Sequence, residues 1–156
     1  MQAWHGTHLL FDAFSTDHIG TGEGGDGLGW GLYFSENREG GEYFARYAAA
    51  SKGKGYLYRV TLDLQEHELI HLGTEDSALT RHFLWSQYDD RRLQVGNKVY
   101  AKLLLSAHNH AVLAEEGTKP SHGKTILCLS SERVRIDGVF SFSPSPYEWV
   151  CIRGEA

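Results

Sequence analysis

Hydrophobic and polar positions alternate most regularly over YLYRVTLDL, residues 56–64. Leu57, Arg59, Thr61 and Asp63 fall on one face, and Tyr56, Tyr58, Val60, Leu62 and Leu64 on the other. A period of two marks a β-strand. Residues 3–11 predict a short strand that enters a turn. LYFS (32–35), KTILCL (124–129), RVRIDGVFSFS (133–143, strand and turn) and YEWVCI (147–152) predict further strands. A helix is predicted over 37–50, with Asn37 as N-cap and Ala-rich turns behind it. Two more helices are predicted over 77–90 and 97–116, where Val99, Leu103 and Ala107 recur at about helical spacing. Between these elements, SKGKG (51–55) and GTKPSHG (117–123) read as turn and loop. Residues 12–31, DAFSTDHIGTGEGGDGLGWG, are too rich in Gly, Asp and Thr for regular structure. They predict a long loop, and long loops in compact domains are often functional. Helices and strands mix without strict βαβ alternation, so the class is α+β, a single domain over 1–156.

Composition changes this picture little. At 156 residues, with 41% hydrophobic and 22% charged positions, the chain has the make-up of one globular domain. The net charge of −5 argues against a dedicated nucleic-acid binder, although it leaves room for a local basic patch. Cys128 and Cys151 each lie in an apolar, strand-like run, which suggests two buried thiols in a reducing compartment. A disulfide stays open if those strands pair. No run reaches the roughly 20 apolar residues of a membrane span, and MQAWHGTHLLF has no signal-peptide pattern. A functional strand beginning as early as His5 suggests an excised domain or the tail of a longer protein.

HELIH, residues 67–71, matches H-E-x-x-H, the zinc-peptidase signature. That motif works only on a helix, which sets both histidines on one face beside a metal-bound water. Here it follows a strand at once, and Gly73 leaves little room for a helix. The extended form needs Gly at 74 and His at 77, where the chain has Thr74 and Ser77. The expectation is a polar edge or connecting segment with no metal; a zinc metallopeptidase stays as the remote alternative.

A stronger pattern is spread over three places. Trp4-His5-Gly6-Thr7 opens the chain, Gly29-Trp30-Gly31-Leu32-Tyr33-Phe34 closes the glycine-rich loop, and Tyr147-Glu148-Trp149 sits on the last strand. Taken singly, these would be a core histidine, a core tyrosine and an exposed strand glutamate. In this order and spacing they resemble the ADP-ribosyltransferases of the His-Tyr-Glu class, the diphtheria-toxin and poly(ADP-ribose) polymerase relatives. The resemblance covers residues 4 to about 64, of which 5–36 look especially like transferase domains of phage and bacterial toxins, and it returns at IDGVFSFSPSPYEWVCI. The resemblance implies two packed, mainly antiparallel sheets flanked by helices around an NAD cleft.

It also implies roles. His5, Tyr33 and Glu148 would be the catalytic set. His5 would hydrogen-bond the adenosine ribose, and the Gly6 backbone would hold the nicotinamide carboxamide. Tyr33 would stack on the nicotinamide, with Tyr43 or Phe44 across the ring, and Glu148 would stabilise the oxocarbenium. Thr7 and Gly31 would complete the cofactor-binding set, with NAD+ as substrate and no metal. In an alternative alignment KTILCL is the glutamate strand, and Thr125 takes the acid position with reduced or absent activity. Pro146 stands where arginine-specific relatives carry Gln or Glu, so that specificity is not expected. SFSPSPY (141–147) would border the acceptor, with Phe142 and Tyr147 reaching it. The implied function is a mono-ADP-ribosyltransferase toxin or effector acting in the cytoplasm, secreted or injected within a longer effector. Its acceptor would be a macromolecule, protein before nucleic acid, and an immunity or inhibitor protein would pair with it. Alternatives are an NAD glycohydrolase, an inactive NAD-binding module and, remotely, RNA 2′-phosphotransfer.

Overall fold

The computed structural model describes residues 1–18, 31–73, 105–115 and 120–155. Strands β1 (Gln2–Thr7), β2 (Leu32–Ser35) and β3 (Tyr56–Leu62) enclose helix α1 (Arg38–Lys52) in the chain. Strands β4 (Leu69–Leu72), β5 (Ala111–Ala114), β6 (Thr125–Cys128), β7 (Val134–Pro144) and β8 (Tyr147–Gly154) follow. Together they form one eight-stranded sheet in the order β4-β5-β6-β2-β1-β3-β7-β8. The mixed α+β class therefore holds, with one main sheet where two were expected. Among the described residues, β4 and β5 are the one parallel pair.

The sheet is nearly divided at its middle. β1 pairs with β3 at six positions, from Gln2 opposite Thr61 to Thr7 opposite Tyr56. It meets β2 at one, Trp4 opposite Ser35. The inner faces of both halves feed one core: Ala3, Tyr58, Val60, Leu62 and Val139 from one, Phe34, Ala111, Leu113, Ile126 and Cys128 from the other. The Tyr56–Leu62 alternation does what its pattern requires. Tyr58, Val60 and Leu62 point into this core, while Leu57 points the other way, onto Trp4, Ala45 and Phe140. Each such side chain, fully buried, contributes roughly 1.5–3 kcal/mol.

Helix α1 lies across β1 on the outer face. Its inward positions Gly41, Ala45 and Ala48 are small and buried, so the helix seats closely. Asn37 does occupy the N-cap, but its side chain makes no cap bond. Instead its Nδ2 donates to the Ser121 carbonyl at 3.0 Å, tying the segment before β6 to the start of the helix. Gly53, in the left-handed region at φ 82°, ends the helix, its N–H donating to the Ala49 carbonyl.

One expectation is corrected. Residues 111–114, expected as helix, are strand β5, buried at all four positions. Residues 69–72, expected as a polar edge or connecting segment, form edge strand β4. The first strand ends at Thr7, and a bend at residue 8 follows it within the span read as strand and turn. The helix expected over 77–90, residues 97–104 of the next one, and residues 19–30 of the glycine-rich loop lie outside the described residues. Cys128 and Cys151 are free thiols, the first buried and the second half-buried, on strands β6 and β8 that do not pair. Among the described residues no helix is long and apolar enough to cross a membrane.

Candidate functional site

The division between β1 and β2 brings two of the expected residues together. Beyond Trp4 and Ser35 the strands part, and the Tyr33 carbonyl takes its hydrogen bond from a side chain. His5 Nδ1 donates to it at 2.7 Å. That bond fixes the tautomer: Nδ1 carries the proton and Nε2 is the acceptor. The ring packs edge-on to Phe14 at 5.1 Å and lies against Phe34 and Tyr58. Burial among these rings holds its pKa below the ordinary 6.5, against the opposing pull of the Tyr33 carbonyl. His5 is therefore a neutral imidazole. Phe11 stacks on Tyr58 at 4.5 Å, and the Tyr58 hydroxyl donates to the Leu9 carbonyl and accepts from the Phe11 N–H. This aromatic block carries the chain from β1 toward the loop, and only Tyr58, on an apolar strand face, hints at it in the pattern of residues.

Gly6 lies on the outer face beneath α1. A Cβ there would run into the Gly41 carbonyl and the Ala45 nitrogen, and would stand 2.9 Å from the Phe44 carbonyl carbon. Glycine is required at this position because the helix backbone rests on it. Among the described residues, β2 pairs with β1 at Trp4 alone, so the edge from His5 to Thr7 opens toward Tyr33 and the flank of α1. Tyr33 is half-buried and packs beside Leu127 and Leu129. Phe44 and Tyr43 meet edge-on at 5.3 Å, and Tyr43 also lies 5.3 Å from His122. A Cβ at Gly40 would stand 2.5 Å from Ser35 Oγ and 3.2 Å from His122 Cβ. Gly6 thus lies under the α1 backbone at Phe44, Tyr43 joins Phe44 to His122, and Tyr33 lies on neighbouring β2. His122 is the residue that sequence reasoning missed.

Glu148 lies apart from these residues. It sits on β8, an edge strand separated from β1 by β3 and β7. Three strand spacings put it about 14 Å away in the sheet direction. It is exposed and pairs across from Ser143, and strand alternation turns it away from the face of Tyr147 and Trp149. The expected convergence of imidazole, phenol and carboxylate is thus corrected: the His5 ring meets the Tyr33 backbone from the inner core, the Tyr33 ring packs on the other face with Leu127 and Leu129, and Glu148 stands three strands from β1. The strand beside β2 is β6, with Thr125 opposite Ser35 and Leu127 opposite Tyr33. β5 and β6, sequences AVLA and TILC, carry no carboxylate. Two further expectations change. Thr7 is 2% exposed, and its Oγ1 accepts from the Leu9 N–H, so it shapes the turn after β1. Gly31 is buried where a Cβ would press on Leu127 and stand 2.7 Å from the Cys128 carbonyl, so it permits the approach of β2 to β6.

HELIH does not take the zinc-peptidase form. Glu66–Glu68 is a 3-10 turn, and β4 starts at Leu69, so His67 and His71 share no helical face. Both histidines are exposed, and His71 Nε2 pairs with Glu66 Oε1 at 2.6 Å. Glu68 is 6% exposed, with Arg133 NH2 2.9 Å from its Oε2. The Gln65 N–H donates to its other oxygen at 2.9 Å, and His110 Nε2 lies 3.4 Å away. The Gln65 amide, and then Arg133, hold this carboxyl below its ordinary pKa, against desolvation. Among the described residues no three His, Cys, Asp or Glu side chains are grouped to hold a metal ion.

No protein-family model matches the chain, and no curated protein or solved structure matches it.

Proposed function

We propose that this domain binds NAD+ where β1 and β2 part, as an ADP-ribosyltransferase-type domain whose third position is Thr125. One observation carries the reading: the β1–β2 ladder stops at Trp4 and Ser35, opening the edge of β1 at Gly6 beside Tyr33, Phe44 and Tyr43. An open strand edge offers backbone groups to a carboxamide, as a partner strand would. Rings on either side suit a flat nicotinamide. Neutral His5, with Nε2 as acceptor, suits a ribose hydroxyl.

In the reaction the nicotinamide C–N glycosidic bond breaks and its electron pair leaves on nicotinamide. A nucleophile on the acceptor, or water, then attacks the anomeric carbon. The oxocarbenium-like state between these events gains from nearby negative charge. Thr125 supplies none, so mono-ADP-ribosyl transfer or hydrolysis is expected to be slow relative to binding. The absence of a carboxylate from β5 and β6 favours the neighbouring reading, an NAD-binding module without turnover.

The test is NAD+ titration calorimetry joined to turnover of labelled NAD+ in a lysate. Tyr33→Ala should weaken NAD+ binding, and Glu148→Gln should leave binding and turnover unchanged. Thr125→Glu should raise turnover by about tenfold or more. Label on macromolecules identifies transfer, and free ADP-ribose alone identifies hydrolysis. If Glu148→Gln removes turnover in a folded protein, the Thr125 assignment is wrong. If the wild-type chain shows no saturable NAD+ binding, the whole reading fails.

A further inference from the structure

The opposite flank of α1 carries a second surface, which the NAD+ reading does not use. Three aromatic rings cluster there at the β7–β8 hairpin, Tyr147 exposed and Phe142 and Trp149 half-buried. Phe142 lies 4.8 Å from Trp149 and 5.1 Å from Tyr147, ring centre to ring centre. Tyr147 is 61% exposed, and its hydroxyl accepts from Arg46 at 3.1 Å. Farther along the same flank, the Arg38 guanidinium covers the buried rings of Trp4 and Phe140 at 5.3 and 5.1 Å. Arg59 approaches the Phe140 ring at 5.8 Å. Rings and guanidiniums thus interleave along one strip. Arg38 and Arg46 are eight residues apart on one helix, about 12 Å along its axis.

The charge of this strip departs from that of the chain. Glu42 is shared by Arg38 at 2.6 Å and Arg46 at 3.6 Å. Asp137 is engaged by Arg135 and Thr61. Arg59 donates to a backbone carbonyl, that of Glu155. Four guanidiniums therefore face two carboxylates on a chain whose net charge is −5.

We infer that this surface binds single-stranded nucleic acid, stacking bases on Tyr147, Trp149 and Phe142 and seating phosphates on Arg38 and Arg46. Open rings give a platform for any base, and flanking guanidiniums track the backbone. Arginine also holds phosphate through two donors at once. An apolar protein partner would leave these arginines unanswered, and a purely acidic one would leave the rings unused. A strand of bases and phosphates answers both. The surface lies across α1 from Gly6 and Tyr33, so binding here does not depend on NAD+.

The experiment is fluorescence anisotropy of labelled single-stranded oligonucleotides of about 12 nucleotides, DNA and RNA, at about 50 mM salt. Saturable binding is expected, with a duplex of the same length bound at least about tenfold more weakly. Tyr147→Ala and Arg46→Glu, both at exposed positions, should each weaken binding by about tenfold. Arg46→Ala should lower the slope of log affinity against log salt by about one. All three variants should bind NAD+ as the wild type does, which separates this proposal from the previous one. Absence of saturation, equal affinity for duplex, or indifference to Tyr147→Ala would overturn it. So would equal competition by an acidic polypeptide, which would mark a general anion surface or a protein partner's site.

Discussion

The two halves of the sheet are built differently. β1, β3, β7 and β8 are joined by long ladders, six positions between β1 and β3 and seven between β3 and β7, and α1 is packed across them. β2, β6, β5 and β4 are four-residue strands with four paired positions at each contact. The halves are tied again away from that meeting point, because Glu68 just before β4 is held by Arg133 just before β7, whose guanidinium also donates to the Asp63 carbonyl. A long half with a helix on it and a shorter half thus meet at one backbone bridge and one ion pair, and the strand edge beside the bridge is where His5, Gly6 and Tyr33 lie.

Breaking the long half at its tightest point should have the largest effect. Gly6→Ala places a methyl group against the Gly41 carbonyl and the Ala45 nitrogen, neither of which can turn aside as a side-chain end would. α1 must lift off β1, at a cost of about 3 kcal/mol. In a domain of this size that lowers Tm by roughly 6–12 °C. NAD+ affinity should fall with it, because α1 moves away from the open edge of β1. A melting curve and an NAD+ titration check this together. An unchanged Tm would mean that α1 is not seated on Gly6 as described.

How much of this was legible beforehand follows from which interactions are local. β3 declared itself through strict alternation, and α1 through Asn37 and its alanines before the SKGKG turn. The resemblance implied that His5 and Tyr33 share one cleft; the structure places the His5 ring on the Tyr33 backbone carbonyl, with the Tyr33 ring on the other face. β5 was misread because AVLA is a short apolar run, which periodicity cannot assign to helix or strand. Its burial between β4 and β6 decides the matter, and that is a property of distant segments. Glu148 was misplaced for the same reason: chain order does not say which strand lies beside β2, and β6 rather than β8 takes that place. The alternative alignment through Thr125 was the available signal. The Glu68–Arg133 tie joins residues far apart in sequence and left no trace in it, so HELIH looked like a metal motif with a spare glutamate.

At the bridge itself, pH sharpens the comparison. Burial holds His5 below 6.5, so the folded state keeps it neutral while the unfolded chain protonates first as pH falls. Between the folded and unfolded pKa the unfolded state binds more protons, so stability rises with pH there and is lost as pH drops below about 6.5. His5→Gln has an amide that can reach the Tyr33 carbonyl and cannot titrate. Its stability should fall less steeply than that of the wild type over this window, by at most about 1.4 kcal/mol per pH unit for one proton. Urea midpoints measured at several pH values provide the readout. Identical profiles for the two proteins would remove His5 from the account.

The smallest effect concerns the two thiols, one in each half, and it leaves stability untouched. Cys128 on β6 is 1% exposed, and burial pushes its pKa up to about 12. At pH 8 about one part in ten thousand is thiolate, and thiolate is the reactive form. Cys151 lies on edge strand β8, half-buried, with its Sγ donating to the Arg153 carbonyl at 3.4 Å. A disulfide-exchange reagent should therefore label one thiol per native molecule, which peptide mapping assigns to Cys151, and the second only after unfolding. In the Gly6→Ala protein, Cys128 should stay protected as long as the short half holds its own core. If both thiols react at one rate in the native wild type, β6 is not the buried interior strand described, and the pairing that sets Thr125 beside Ser35 loses its support.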